Sequence, residues 1–445
     1  MLNKLFKLDE HNTDLKTEIT AGITTFLAMS YILGVNPGML SSTGMSLEGV
    51  FIATALASGI ACILMGLLAN YPIGLSSGMG LNALFTYTIV LGMGLSWQAA
   101  LAAVFLSSII FLIITFIGLR EAILNEIPQN LKLAIGSGIG FFLAFLGFAN
   151  SGIIVPNPST LIGLGNLASP PVLLALIGIV ITLILYVRKV PAAVFFGMLI
   201  TEIIGVVFTL VGFTSPDVAL PAIPKIWISF NLDFSVFGGF LLGFGELFKN
   251  IPALIIILFS ILFVTFFDTT GTLIPLAKEC GYVNDDGTTE GINRAFISDA
   301  IGGIIGAIFG SSTVTAYVES ATGIGLGGRT GITAIVIGLL FLVSIFFAPI
   351  FLSLFTPSVT TAALVIVGIM MFIQIREIEW DNIEIVAAVF MTISMMILSN
   401  SISVGIAFGF ITYTIAFIAN GRYRELKPLV WIMFAIFIMY LFFGL

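Results

Sequence analysis

The sequence predicts an all-α polytopic membrane protein whose 14 transmembrane spans form two inverted repeats of seven. Of its 445 residues, 59% are hydrophobic and only 9% are charged, whereas an ordinary soluble domain has about 25% charged residues. A span needs roughly 20 apolar residues, and apolar runs follow one another along almost the whole chain. No room remains for a soluble catalytic or nucleotide-binding domain.

Fifteen apolar segments can be placed along the chain by hydropathy. They lie at 19–37, 50–69, 72–92, 97–118, 132–148, 170–187, 191–212, 252–275, 295–309, 312–326, 331–352, 359–373, 384–398, 401–418 and 429–444. The last segment is the weakest as a full span, and we predict it as an extra C-terminal hydrophobic helix.

The positions of Lys and Arg support this count and predict the orientation, because cytoplasmic loops are enriched in these residues. With a cytoplasmic N-terminus, only Lys225 and Lys249 of the 16 Lys and Arg residues fall outside. The others are Lys4, Lys7, Lys16, Arg120, Lys132, Arg188, Lys189, Lys278, Arg294, Arg329, Arg376, Arg422, Arg424 and Lys427. The sequence therefore predicts a multi-pass protein of the cell (plasma) membrane.

The stretch 213–251 has no clear span and predicts an external linker. It contains three prolines and then an amphipathic run in which Glu246 and Lys249 lie three residues apart on one helix face. Seven spans precede this linker and seven follow it, so the two halves must lie upside down relative to each other. The third span of each half is short and follows a serine pair, Ser76-Ser77 and Ser311-Ser312. Short segments at matching positions of inverted halves indicate a transport site near the membrane midplane.

Several functional classes are excluded or disfavoured by composition. Lys and Arg are scattered and the net charge is -7, so nucleic-acid binding is not indicated. Cys62, Cys280 and His11 are the only cysteines and histidine, which argues against a disulfide framework, haem or Cys/His zinc ligation and an intramembrane His relay. No metal or cofactor is expected. The chain lacks G-x-x-x-x-G-K-[ST], so it has no built-in ATP motor.

Carboxylates within spans are costly and therefore indicate function. Asp268 lies in F-F-D-T-T-G-T-L, among threonines that include Thr272, and Glu319 lies in the short third span of the second half. We predict that both bind substrate or couple ions, the alternative being structural anchoring. In the first half, the matching short span contains Gly80 and Asn82, and a helix-packing patch is the alternative reading of that pair.

Two further intramembrane acids are weaker candidates. Glu202 in the seventh span has no obvious cationic partner. Asp299 follows Arg294 by five residues, so we predict that it lies near the membrane surface as a structural cap.

The motifs G-M-G-L-N-A (Gly78–Ala83), F-F-D-T-T-G-T-L (Phe266–Leu273) and T-A-Y-V-E-S-A-T-G-I-G-L-G-G-R-T-G (Thr315–Gly331) carry a family resemblance. They resemble those of the nucleobase–cation symporter family, within the xanthine/uracil permease superfamily. The similarity is greatest to its AzgA-like hypoxanthine/adenine/guanine permease branch, and it extends over most of the chain.

The resemblance implies a core domain and a gate domain, with short antiparallel strands in spans 3 and 10. The implied core domain comprises 19–131 (spans 1–4) and 252–356 (spans 8–11). The implied gate domain comprises 132–212 (spans 5–7) and 357–445 (spans 12–14 and the C-terminal helix). The remaining parts are a cytoplasmic tail at 1–18 and the external linker at 213–251. From the serines, threonines and glycines we expect residues near Ser77–Gly80 and Thr313–Tyr317 to run extended and antiparallel.

The resemblance also implies the site. Asp268 and Glu319 fall on the family's substrate carboxylates, and Asn82 on the polar residue of span 3; we add Thr272, Tyr317 and Gly80 as substrate-binding residues. Some members of the purine branch have a second acid one turn before the aspartate, where this chain has Thr265. That difference bears on purine choice or proton stoichiometry.

The expected function is import of purine nucleobases by proton symport, with elevator-like alternating access and no enzymatic activity. A buried carboxyl group can exchange a proton near neutral pH, which makes Asp268 and Glu319 the expected proton-coupling residues. The expected partners are a purine nucleobase, protons, the lipid bilayer and a second copy in a homodimer. A same-fold transporter for uracil, xanthine or another small solute, with sodium as an alternative coupling ion, is the alternative, and a polytopic membrane enzyme is the remote one.

Overall fold

The computed structural model of the protein describes residues 2–119, 126–216, 218–249, 251–283 and 289–443. Arg120, one of the positively charged residues used above to predict orientation, lies outside the described residues. All statements on structure below concern the described residues.

The first half of the chain contains nine helices and three strands in the described part. They are α1 (Leu2–Phe6), α2 (Leu15–Met29), α3 (Ile32–Ser41), α4 (Leu47–Leu64), β1 (Leu75–Ser77), α5 (Met79–Ala83), α6 (Trp97–Phe116), α7 (Gln129–Asn150), β2 (Ile154–Asn157), β3 (Leu161–Leu164), α8 (Pro170–Val187) and α9 (Ala193–Leu210). Turns of π-helix extend α4 over Met65–Ala69 and α5 over Leu84–Gly92.

The second half contains the linker helix, nine further helices and one strand in the described part. They are α10 (Phe240–Leu247), α11 (Ile251–Glu279), α12 (Ile292–Phe309), β4 (Val314–Ala316), α13 (Ser320–Gly325), α14 (Gly331–Ser344), α15 (Ala348–Leu354), α16 (Pro357–Phe372), α17 (Ile383–Leu398), α18 (Ile402–Ala419) and α19 (Pro428–Phe443).

These elements confirm the predicted fold class. Among the described residues, 11 helical stretches are long and apolar enough to cross a membrane. The shorter apolar helices Met79–Gly92 and Ile383–Leu398 account for spans 3 and 13, and β4 with α13 forms span 10. The C-terminal α19 has 16 residues, a length of about 24 Å, which is short of the roughly 30 Å hydrocarbon core.

Helix starts follow local capping chemistry. The side chains of Asp14, Ser46, Ser96 and Ser401 each accept a hydrogen bond from a backbone N–H in the first turn of α2, α4, α6 and α18, which satisfies donors that a helix leaves unpaired. Glu18 does the same across the fold: its carboxylate accepts hydrogen bonds from the backbone N–H groups of the segment that opens α14. This buried acid therefore joins span 1 to span 11.

Two short strands meet at the centre of the molecule. β1 and β4 pair antiparallel with Leu75 opposite Ala316 and Ser77 opposite Val314. The N–H of Gly78 donates to the Thr313 carbonyl at 2.9 Å, and the N–H of Tyr317 donates to the Gly74 carbonyl at 3.0 Å. The expected antiparallel crossing is therefore confirmed, but the first strand lies a few residues earlier than predicted, because Gly80 already belongs to α5.

Span 1 is one helical stretch, Leu15–Ser41, as the sequence predicted, with a tight turn between α2 and α3. α2 ends at Met29 and α3 begins at Ile32, while Ser30 and Tyr31 keep right-handed helical backbone angles. Asn36 of α3 is fully buried, and its amide Nδ2 donates to Thr54 Oγ1 at 2.8 Å and lies 3.2 Å from Ser77 Oγ. Span 1 is thereby held against span 2 and the central strands.

The spans pack mainly within two groups. In the first helix group, α2 and α4 pack on α14, and α4 and α6 pack on α12; this group comprises α2–α6 and α11–α15. In the second, α7 packs on α16 and α17, and α8 packs on α9 and α16; this group comprises α7–α9 and α16–α18. Glycines allow close packing within a group. A β-carbon on Gly140 of α7 would lie 2.6 Å from the Gly368 carbonyl of α16, so the backbones of these two helices are in contact.

The linker contains a helix of eight residues, α10, which buries Phe240 and Leu247 and exposes Leu241 and Leu242. Its Glu246 accepts hydrogen bonds from the backbone and side chain of Ser96. Lys249 lies beyond the end of the helix. The linker helix is therefore held on α6 of the first helix group.

Candidate functional site

One large cavity lies between the two helix groups, and the central strands form its deep end. Its volume is about 940 Å³. Toward the face of the membrane at which α2 begins, here the N-terminal face, its lining includes Gln129, Lys132, Thr289 and Asn293. Among the described residues, the loops of the opposite face contribute nothing to the lining. The cavity thus leads from the midplane toward the N-terminal face.

Glu319 is placed at the deep end of the cavity by the break between β4 and α13. It occupies the N-cap position of α13 and is only 5% exposed. The hydroxyl of Tyr31 donates to Glu319 Oε1 at 2.5 Å, and both residues line the cavity. The tight turn of span 1 and the short helix of span 10 therefore present a phenol and a carboxyl group to the same space.

Asp268 lines the same cavity from the middle of α11. Its side chain is partly exposed to the cavity and has the hydroxyl of Thr315 as a hydrogen-bond partner. A β-carbon on Gly78 would lie 3.5 Å from Asp268 Oδ2 and 2.7 Å from Thr315 Cγ2. Glycine at position 78 therefore leaves the space that lets β1 and the carboxylate lie side by side.

Thr272, Tyr317 and Gly80 also line the cavity. The phenol of Tyr317 donates to the Ser77 carbonyl at 2.5 Å, so this ring is fixed to the opposite strand and is not a free donor. Five of the six predicted substrate-binding residues therefore surround one space.

Asn82, the sixth predicted residue, does not line the cavity. Its side chain is fully buried, and neither Oδ1 nor Nδ2 has a hydrogen-bond partner among the described residues. The physical reason is helical geometry: Gly80 and Asn82 lie two positions apart on α5 and so differ by about 200° around its axis, which places them on different sides. Substrate binding by Asn82 therefore stays a prediction.

Asp299 differs from its predicted position near the membrane surface. It is 1% exposed, and its carboxylate accepts hydrogen bonds from the backbone N–H of Ala316 at 2.8 Å and from Thr269 Oγ1 at 2.7 Å. It therefore ties β4 to the residue that follows Asp268. The surface position was predicted because Asp299 follows Arg294 by only five residues. α12 runs inward from Arg294, so these five residues take Asp299 into the interior.

Glu202 lies away from the cavity. It is 5% exposed on α9, and its Oε1 has no hydrogen-bond partner among the described residues. Its burial matches Glu319, while its surroundings do not, which makes Glu202 a useful comparison for the two acids of the cavity.

The second helix group supplies a wall that sequence reasoning missed. Polar residues of this wall lie toward the N-terminal face, while the deeper part is apolar. The deeper wall is formed by Ile135, Ile139, Val367 and Met371. These positions recur at intervals of four on α7 and α16, which places each pair on one helix face. In the sequence they are indistinguishable from residues that face lipid or other helices.

The Asp299 contacts lead to a specific expectation. Asp299→Ala should weaken the apparent affinity for transported substrate at least ten-fold, because it leaves the buried Ala316 N–H without a partner, at a cost of about 1–3 kcal/mol, and leaves the Thr269 hydroxyl only the longer contact to Thr315 Oγ1, at 3.3 Å. Asp299→Asn keeps one acceptor and should lose less. The measurement is the KM and maximal rate of uptake at equal membrane protein levels.

Ser298→Ala is the matched control for Asp299→Ala, since among the described residues Ser298 Oγ donates a hydrogen bond within its own helix alone, to the Arg294 carbonyl at 2.9 Å. An unchanged KM in Asp299→Ala would contradict a positioning role for Asp299.

The protein is a multi-pass helical membrane protein with a polar cavity between two helix groups, where the discontinuous spans 3 and 10 cross. These features place it in the permease class. Comparisons with known proteins agree. The profile of the permease family, Xan_ur_permease, matches residues 16–411, and this chain belongs to that family.

The chain is also similar in sequence to individual permeases of this family. The chain is 44% identical to the guanine/hypoxanthine permease PbuG of Bacillus subtilis over 99% of this chain and 100% of that protein. It is 39% identical to the adenine permease AdeP of Escherichia coli, over 99% and 95%. The resemblance found in the sequence, to the purine branch of the nucleobase permeases, is confirmed by these matches.

Among solved structures, the transmembrane domain of a cyanobacterial bicarbonate transporter, BicA, is similar with a TM-score of 0.64. It is 16% identical, and the match covers 88% of this chain and 97% of that one. At this identity the likeness supports the fold alone.

Proposed function

We propose that this protein imports purine nucleobases, among them hypoxanthine, adenine and guanine, by proton symport across the plasma membrane. The observation that carries the proposal is the pair of carboxyl groups, Asp268 and Glu319, that faces one cavity at the crossing of two discontinuous spans. The names of the relatives, a guanine/hypoxanthine permease and an adenine permease, support the choice of substrate.

The chemistry of the cavity suits a purine. A purine is a flat heteroaromatic with N–H donors and ring-nitrogen acceptors along its edges. Carboxylates accept N–H groups, hydroxyls such as that of Thr272 do both, and charge-assisted bonds of this kind are the stronger ones. The apolar wall of the second helix group suits the ring face. Hydrogen-bonding groups for the purine edge and an apolar surface for the ring face thus lie on opposite sides of the cavity.

Coupling follows from the two acids. A carboxyl group held out of water by span packing exchanges a proton more readily near neutral pH than an exposed one does. One proton that enters along 100 mV contributes about 2.3 kcal/mol, enough for roughly fifty-fold accumulation of a neutral substrate. We assign proton coupling to Glu319 and Asp268.

The motion that we propose is elevator-like. The first helix group is the mobile core domain, corresponding to 19–131 and 252–356, and the second is the gate domain, corresponding to 132–212 and 357–445. The concentration of packing within each group, with few contacts between them, supports this division. With a cytoplasmic N-terminus, the cavity opens toward the cytoplasm and the structure represents an inward-facing state.

The test is uptake of radiolabelled hypoxanthine, adenine, guanine, xanthine and uracil by a host that lacks purine transport. We expect concentrative uptake of purines that collapses with a protonophore and persists when sodium is replaced by choline. Uptake restricted to pyrimidines would refute the substrate assignment, and uptake that requires sodium and ignores the protonophore would refute proton coupling.

A further inference from the structure

The second helix group contacts the first beside the candidate site. A β-carbon on Gly80 would lie 2.9 Å from Ile139 Cγ2 and 3.7 Å from Ile139 Cδ1. Both residues line the cavity. Since Gly80 has no side chain, the isoleucine side chain lies against the backbone of α5, three residues beyond the end of β1 at the deep end of the space.

The wall that carries Ile139 has little freedom to yield. The next residue, Gly140, is in backbone contact with Gly368: a β-carbon at 140 would lie 2.6 Å from the Gly368 carbonyl, and one at 368 would lie 2.5 Å from the Gly140 carbonyl. The α7 and α16 backbones are therefore already at their closest approach at this depth. A larger ligand cannot gain space by pushing the two helices together.

The side chains of the wall differ in stiffness. Ile139 is β-branched, so in a helix its χ1 angle is confined almost to one rotamer. Met371, on the neighbouring helix, is unbranched and can adapt its shape to a ligand. The hard limit on ligand size therefore lies at Ile139, and the adaptable part of the wall lies at Met371.

Accordingly, we propose that Ile139 is a specificity-determining residue that limits the size of purine substituents at the deep end of the cavity. The proposal rests on the proposed function, because it assumes that the cavity holds a purine. The proposed effect of Ile139 is steric. The acids of the core domain bind the polar edge of the purine, and the Ile139 side chain limits the size of a substituent on the purine ring.

The first test compares Ile139→Ala, Ile139→Val and wild type. Competition against labelled hypoxanthine is measured with purines that carry a methyl, ethyl or benzyl group at one ring position at a time. For at least one ring position, the ratio of inhibition constants, substituted over unsubstituted purine, should fall ten-fold or more in Ile139→Ala, with an intermediate fall in Ile139→Val.

Leu143→Ala is the matched control, because Leu143 lies one turn further along α7, is fully buried and does not line the cavity. It removes a similar volume from the same helix and should leave the ratio unchanged. If wild type binds hypoxanthine and the ratio is the same in Ile139→Ala at every ring position, this proposal is overturned while the proposed function stands. If wild type binds no purine, both are overturned.

A second test uses the contact itself. Gly80→Ala places a methyl group 2.9 Å from Ile139 Cγ2, which is closer than β-carbons tolerate, so uptake should fall at least ten-fold. Adding Ile139→Ala to the same chain should recover several-fold of the lost uptake at equal membrane protein levels. Failure of the double variant to recover would show that the contact does not act as proposed.

Discussion

Glu319→Gln and Asp268→Asn are each expected to abolish concentrative purine uptake. Either substitution keeps the shape of the side chain and removes its ability to release a proton. Because proton entry supports roughly fifty-fold accumulation per 100 mV, the internal purine concentration should fall to the external level. The measurement is accumulation of labelled hypoxanthine in energised cells, normalised to inserted protein.

The structure offers a matched control for these variants. Glu202→Gln removes an equally buried acid, 5% exposed like Glu319, that does not line the cavity. It should lose at most a few-fold of uptake. The comparison separates acids that face the cavity from the general cost of altering a carboxyl group inside a membrane protein.

Binding measurements distinguish coupling from substrate contact. If a proton and a purine bind together, linkage requires the affinity for purine to fall as the pH rises. At least one of Glu319→Gln and Asp268→Asn should lose this slope. Normal accumulation by both variants would refute the assignment of the site. Lost uptake with unchanged affinity and pH dependence in both would place the two acids in a later step.

A covalent link between the two helix groups should stop transport, while a link within one group should not. Thr88, in the outer turns of span 3, and Ser401, at the start of α18, lie in the first and second helix groups; their side-chain oxygens are 3.3 Å apart. Thr88→Cys with Ser401→Cys should therefore form a disulfide with little backbone movement. We expect uptake to fall to background on oxidation and to return on reduction.

Ser58→Cys with Ser76→Cys is the control for that link. The two hydroxyl oxygens are 2.6 Å apart, and both residues lie within the first helix group. Cys62 and Cys280 are buried, and wild type treated with the same membrane-permeant oxidant accounts for them. Equal inhibition by the two cross-links would argue against an elevator-like movement.

Much of the fold could be predicted because it depends on long-range averages along the chain. Hydropathy and the distribution of Lys and Arg determine the span count, and the odd number of spans per half requires inversion. The serine pairs and glycines indicated the central strands. The tight turn of span 1 at Tyr31 could not be predicted, because the surrounding residues have ordinary helical character and the phenol finds its partner, Glu319, 288 positions away.

The charged residues of the candidate site could be predicted from the sequence, because a charge inside a membrane span is costly. Its apolar residues could not. Asp268 and Glu319 stand out because a carboxylate within a span needs a reason. Ile139 and Met371 have the same composition as lipid-facing positions, and only the packing of α7 on α16 shows that they face the cavity. Asn82 and Asp299 show the limit of reasoning from neighbours in sequence, since helix direction and rotation decided where each side chain lies.

The pairing of β1 with β4 also constrains how the protein is made. Tyr317 and Ser77, which are hydrogen-bonded in the finished structure, are 240 positions apart, and the linker and several spans are synthesised between them. Contacts this distant in sequence form late, because the intervening chain must first be ordered. During synthesis at about 5–20 residues per second, the first half waits in the bilayer with β1 unpaired. A newly made chain therefore lacks the central strand pair, and with it the deep end of the cavity, until its second half has been inserted.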